Sequence, residues 1–157
     1  MKTHKEYLSL AVEEALKGIG AREGGPFGAV IVRDGQILGR GHNRVLCTND
    51  PTAHAEICAI RKACEKLKTP HLTGAVLYTN FEPCPMCLAA VYWAHIRQIY
   101  YCSGREIAEK IGFMDRHLYE EFRRPSDQRE MQSKQIQIPE MEHLLEEWNS
   151  LEDNLQY

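Results

Sequence analysis

The sequence has no apolar run long enough to span a bilayer. Its opening stretch, MKTHKEYLSLAVEEA, scatters charges among apolar residues where a secretory signal would keep a continuous apolar core. No membrane association is expected, and the reading is cytoplasmic. A surplus of positive charge is lacking too: 19 Lys and Arg stand against 22 Asp and Glu, a formal net charge of -3. Without a basic footprint the chain is poorly suited to tracking phosphates, which argues against nucleic acid and for a small-molecule substrate. Internal repeats, low-complexity tracts and linkers are absent as well, which excludes solenoids and tethered modules. What remains, 157 residues with 43% hydrophobic and 26% charged content, fits one domain, 1–157, with a buried core.

Periodicity supplies the elements. Thr3 and Glu6 have capping-box spacing, and Leu8, Ala11, Val12, Ala15, Leu16 and Ile19 predict a helical stripe that stops before Gly20. Phe27–Val32 and Gln36–Asn43 read as two strands joined by an Asp34-Gly35 hairpin turn. A helix is expected from about Ala53 to Lys68, with Ile57, Ile60, Cys64 and Leu67 inward, and another from the Pro83-Cys84-Pro85 start through Trp93. AVLYT (75–79) and IYYC (99–102) read as strands, QIQI (135–138) as a short fifth one. Met141, Leu144, Leu145, Trp148, Leu151 and Leu155 mark a terminal amphipathic helix. Alternating strands and helices predict an α/β fold with a central mixed sheet.

Six cysteines in a reducing compartment point to free thiols or metal ligands before disulfides. Cys84 and Cys87 are one turn apart at a helix start, the i, i+3 spacing that lets two sulfurs reach one metal, and His54 begins the other helix. Converging helix N-termini bring unpaired N–H groups and positive dipole ends, which favour thiolates and thus Zn2+. Three protein ligands leave a fourth position open, the count of a catalytic site. Two thiolates cancel the ion's charge, so water there is acidified less than at an all-histidine site and needs a base. Glu56, beside His54 at the helix mouth, is placed to supply it. Alone, a Cys-x-x-Cys is equally a redox pair or half of a structural zinc knot, and a lone His near a helix start is most often a cap or a satisfied packing residue. Cys47, Cys58, Cys64 and Cys102 lack the ligand context and read as buried or incidental thiols.

His-x-Glu followed by Pro-Cys-x-x-Cys is the zinc deaminase signature. On it, and on GGPFGAVIV (24–32), NDPTAHAE (49–56), EPCPMC (82–87), YWA (92–94), GF-x-D (112–115) and Tyr157, the chain resembles the cytidine and purine deaminase superfamily, and most closely the bacterial guanine deaminases. The resemblance implies a three-layer α/β/α sandwich, cytidine deaminase-like, with one Zn2+ per chain. It implies hydrolytic removal of the 2-amino group of guanine to give xanthine and ammonia, in a homodimer. His54, Cys84 and Cys87 match the metal ligands and Glu56 the proton shuttle. Asn43 matches an amide that bonds the purine edge, Phe27 a pocket wall, and Asp115 a second carboxylate that assists ammonia loss. Tyr157 matches a lid that the C-terminal segment, about 140–157, lends to the neighbouring subunit.

Each of the last four also has a plainer reading: Asn43 as a turn residue, Phe27 as core, Asp115 as the N-cap of RHLYEEF, Tyr157 as an idle tail. The chain departs from the pattern at Met114-Asp115, where such enzymes often carry two adjacent acids. Alternatives are a deaminase of guanosine, cytosine or a related aminated heterocycle, and a tRNA adenosine deaminase. The acidic HLLEEWNSLED argues against the last, and Arg123, Arg124 and Arg129 are interspersed with acids as on a solvated face.

Overall fold

The computed structural model describes residues 2–151, so Leu155 and Tyr157 lie outside the described residues. The chain divides into two compact units, Met1–Tyr119 and Glu120–Tyr157.

In the first unit, α1 (His4–Gly20) opens with the expected capping box: the Thr3 hydroxyl accepts from the Glu6 N–H, and the Glu6 carboxylate accepts from the Thr3 N–H at 2.7 Å. Strands β1 (Gly28–Arg33), β2 (Gln36–His42), β3 (Val76–Phe81) and β4 (Gln98–Ser103) form a sheet in the order β2-β1-β3-β4. β1 pairs antiparallel with both β2 and β3, while β3 and β4 run parallel, so the sheet is mixed. Asp34 and Gly35 have φ of 51° and 76°, the two positive values that a two-residue hairpin of the I′ type demands.

The apolar run of β1 exists because both of its faces are covered. Ala29 and Ile31 point into a cluster with Leu77, Val91 and the alanines of α3 (Ala55–Leu67), beneath α3 and α4 (Pro85–Trp93). Val30 and Val32 point the other way, into a cluster with Tyr7 and Ala11 of α1 and Tyr78. Strand alternation thus divides one sequence run between two helical layers, giving the expected α/β/α arrangement.

Two helix faces differ from the periodic reading. On α1 the buried positions are Tyr7, Ala11, Glu14, Ala15 and Gly18, while Val12, Leu16 and Ile19 are exposed. The Tyr7 hydroxyl donates to the Gly35 carbonyl at 3.0 Å, and Glu14 is tolerated in the interface because Lys17 pairs with it at 2.6 Å. On α3 the fully buried side chains are Ala55, Ala59 and Ala63, and Ile60, Cys64 and Leu67 only flank the core. The cause lies in β2: a Cβ on Gly39 would sit 2.3 Å from the Ala59 carbonyl oxygen, and one on Gly41 2.4 Å from that of Ala55. Glycine facing alanine brings helix and strand closer than large side chains allow.

Two short helices, α2 (Val45–Thr48) and α5 (Arg105–Lys110), were not expected from the sequence. α6 (Asp115–Arg123) follows, and Asp115 is its first helical residue, one place inside the cap position expected for it. Residues 135–138 form no strand, which corrects the fifth-strand expectation. Among the described residues no strand lies beyond Ser103, and the second unit therefore offers no backbone edge for pairing. The alternation serves a groove instead, where Ile136 and Ile138 face Met141 and Leu145 of α7 (Glu140–Ser150).

Candidate active site

The loop after β2 delivers His54 to the start of α3, and the turn after β3 delivers Cys84 to the start of α4. Both residues are N-caps with extended backbone (ψ of 158° and 168°), and neither side chain bonds to its own helix. An N-cap is outside the helical repeat, so His54 need not share a face with Glu56. That resolves why a histidine and a glutamate two positions apart reach one point. Cys87, one turn into α4, and Glu56, in the first turn of α3, complete the group, the Cys87 Sγ lying 3.4 Å from Glu56 Oε2.

Ligand spacing fits a tetrahedral ion. With bonds of about 2.3 Å to sulfur and 2.05 Å to nitrogen, tetrahedral angles place S and N about 3.6 Å apart. His54 Nδ1 lies 3.6 Å from Cys84 Sγ and 3.6 Å from Cys87 Sγ, and all three ligand atoms fall within 4.8 Å of one another. Left to protons alone, the trio is electrostatically awkward. The hydrogen bond from the Cys87 thiol holds Cys84 down at about 4, and the same bond pushes Cys87 up. His54 is raised by its bond to Cys84. A buried thiolate beside a charged imidazole is a donor set that a soft dication satisfies, and the residues fit Zn2+. Glu56 is buried, and that burial pushes its carboxyl up to about 7, where a group can both take and return a proton at neutral pH.

Beside this group a cavity of about 340 Å3 opens, within the range of small-molecule sites. Asn43 is buried on its rim, and its Oδ1 accepts from the N–H groups of Val45 at 3.2 Å and Gly25 at 3.3 Å. With the oxygen occupied twice, the amide is oriented and its NH2 is left as the donor for a substrate acceptor. Phe27 lines the cavity and meets Phe113 edge-on at 4.6 Å and Phe81 at 5.1 Å. Asp115, half-buried, also lines it, and burial raises its carboxyl above the usual range. The structure thus gathers every expected site residue that lies among the described residues.

Four contributors went unassigned in the sequence. Phe113 precedes the Met-Asp pair and supplies the second aromatic wall. Glu82 reaches the cavity but is not free to act there: the guanidinium of Arg105 grips both its oxygens and the Arg105 N–H donates to it at 3.3 Å. Arg105 in turn stacks 3.9 Å over the ring of Tyr119, whose hydroxyl donates to the Pro83 carbonyl at 2.8 Å. Tyr119 is one turn beyond Asp115, so this contact ties the acid's helix to the turn that carries Cys84. Glu82 and Phe113 stand within quoted motifs, a usable signal; Arg105 had none. Of the remaining cysteines, Cys47 and Cys102 are exposed, as incidental thiols are, and Cys58 and Cys64 half-buried; all six are free.

Residues 1–103 match the family model described as the cytidine and deoxycytidylate deaminase zinc-binding region. The guanine deaminase of Bacillus subtilis is 42% identical over 154 residues, 98% of this chain and 99% of that protein. Its X-ray structure matches with a TM-score of 0.94 over 99% of each chain. A guanine deaminase from Nitrosomonas europaea matches at TM-score 0.70 and 31% identity, covering 73% of this chain and 66% of that one. A tRNA-specific adenosine deaminase of Agrobacterium fabrum is 49% identical, but over 100 residues, 64% of each chain.

Proposed function

The chain belongs to the cytidine and deoxycytidylate deaminase family, and from that premise we propose that it is a zinc-dependent guanine deaminase converting guanine and water to xanthine and ammonia. The observation that carries the choice of base is the extent of the likeness. Similarity to a tRNA enzyme spans 100 residues, whereas similarity to a guanine deaminase runs through 98% of the chain. The zinc chemistry lies in the shared part. Phe113 and Asp115, which complete the cavity, lie after residue 103, where the family model ends.

His54, Cys84 and Cys87 would hold the ion, which when bound would acidify water and so supply the nucleophile at neutral pH. Glu56 takes a proton from the attacking water and delivers it to a ring nitrogen, so the electrons displaced by attack at C2 have a destination. The Asn43 NH2 donates to an acceptor on the purine edge, Phe27 and Phe113 confine the ring, and Asp115 relays the proton of the newly added C2 hydroxyl to the departing amine, so that the carbonyl forms as ammonia leaves. Ammonia release from guanine, guanosine, cytosine, adenine and an anticodon stem-loop tests the reading. Guanine should be the preferred substrate; turnover of the stem-loop with none on guanine overturns it.

Asp115→Asn separates catalysis from support of the first turn of α6. Asn keeps the size and a hydrogen-bonding oxygen, so a purely structural role predicts unchanged kinetics. The expected outcome is a fall in guanine turnover of at least about tenfold with little change in Tm, as for losing a proton donor.

In this reading the enzyme is a cytoplasmic homodimer with exchanged C-terminal segments. Supporting it, Met141, Leu144, Leu145, Trp148 and Leu151 form an apolar stripe that is exposed in the single chain. Exchange of an identical element is an economical route to a symmetric dimer. No helix among the described residues is long and apolar enough to cross a membrane. Deleting Gln156 and Tyr157 should leave zinc content and dimerisation intact while sharply reducing guanine turnover, because an aromatic lid no longer covers the base. Full activity of the truncated enzyme, or of a wild-type monomer, counts against the borrowed lid.

A further inference from the structure

The backbone ladder between β1 and β3 runs from Val32↔Val76 to Ala29↔Thr79 and ends there. One step further, where Gly28 would face Asn80, a side chain replaces the backbone. Asn80 is buried, its Oδ1 accepts from the Gly28 N–H at 2.9 Å, and its Nδ2 donates to the Pro26 carbonyl at 2.8 Å. The two bonds straddle Phe27. That residue's carbonyl accepts from the Asn43 N–H at 3.0 Å, and the neighbouring Gly25 N–H donates to Asn43 Oδ1 at 3.3 Å. One short segment, 25–28, therefore carries the Phe27 ring and orients the Asn43 amide.

We propose that Asn80 is a positioning residue for base recognition: by clamping the chain on both sides of Phe27 it holds the aromatic wall and the Asn43 donor in register with the cavity, although it touches no substrate itself. The inference rests on the reading of the cavity as a purine-base site. On the β2 side the segment is paired through Gly28 opposite His42, but toward β3 the ladder has already ended, so on that side the Asn80 side chain takes the place of backbone pairing. A buried amide with both halves engaged is rigid in a way that a single hydroxyl or carboxylate at the same place is not. The clamp acts on the wall of the cavity and leaves the zinc ligands alone, so its loss should fall on binding more than on chemistry.

Asn80→Asp keeps the acceptor for Gly28 but removes the donor to Pro26 and sets a carboxylate against a carbonyl oxygen. We expect the KM for guanine to rise about tenfold with kcat within about twofold, on the scale of one lost buried hydrogen bond, and zinc to stay near one per chain. Asn80→Ser cannot span both partners and should raise KM at least as far. In the wild-type protein, hydrogen exchange at the Gly28 amide should be as slow as in the paired part of β1, and in Asn80→Ser it should accelerate. This exchange measurement needs no substrate, so it can fail or succeed independently of the assignment of guanine. Fast exchange of Gly28 in the wild type overturns the clamp. So does an unchanged KM in both variants, or a loss of zinc and Tm with KM unmoved, which would make Asn80 a residue of stability alone.

Discussion

Glu56→Gln should lose at least about a hundredfold in turnover while keeping its zinc and its fold, the scale expected for removing a general acid and base. The side chain is buried at the mouth of α3, 3.4 Å from Cys87 Sγ, and its own burial already disfavours the charged form. A glutamine has the same shape, carries no charge to bury, and is not one of the three ligand residues, so neither Tm nor metal content should fall. What it lacks is a proton that can be taken and returned. Parallel measurement of zinc by elemental analysis, Tm and ammonia release decides the matter. Turnover near the wild-type rate would mean that a different group moves the proton, and loss of zinc would mean that Glu56 helps to hold the site.

Cys84→Ala and Cys87→Ala should each abolish stoichiometric zinc and, with it, detectable turnover. The wild-type chain should carry about one zinc, since His54, Cys84 and Cys87 form one group and two remaining ligands hold the ion poorly. A chelator should do the same to the wild-type protein, reversibly: adding zinc back restores activity there and fails in the cysteine variants. The apo forms should also melt at lower temperature, because a ligand bound only to the native state stabilises it by mass action. Full zinc in both variants would refute the ligand assignment.

The elements that the sequence made legible share a cause. Hairpin turn, capping box and helix starts depend on residues a few positions apart, and local geometry decides them: Asp34 and Gly35 take the two positive φ values of their turn, and Thr3 and Glu6 close their box. The ligand pair Cys84 and Cys87 is legible for the same reason, being one turn apart. QIQI misled because alternation specifies a strand only where another strand is present to pair with it. The stripes on α1 and α3 misled because apolar size was taken for depth, while Gly39 and Gly41 admit only the alanines of α3.

By itself, then, the sequence determined the α/β alternation and, through the His-x-Glu and Pro-Cys-x-x-Cys signature, the candidate metal group of His54, Cys84 and Cys87 with Glu56 beside it, since local spacing places each residue at the start of a helix. Only the tertiary structure decided how the cavity is walled and held. Arg105 gripping Glu82 joins residues 23 positions apart, and Asn80 reaches Gly28 and Pro26 across 52 and 54 positions. No periodicity encodes such contacts. They arise when the sheet sets β3 between β1 and β4, so that its end meets the segment before β1 on one side and the start of α5 on the other, and the residues that shape the substrate's surroundings become visible only after folding.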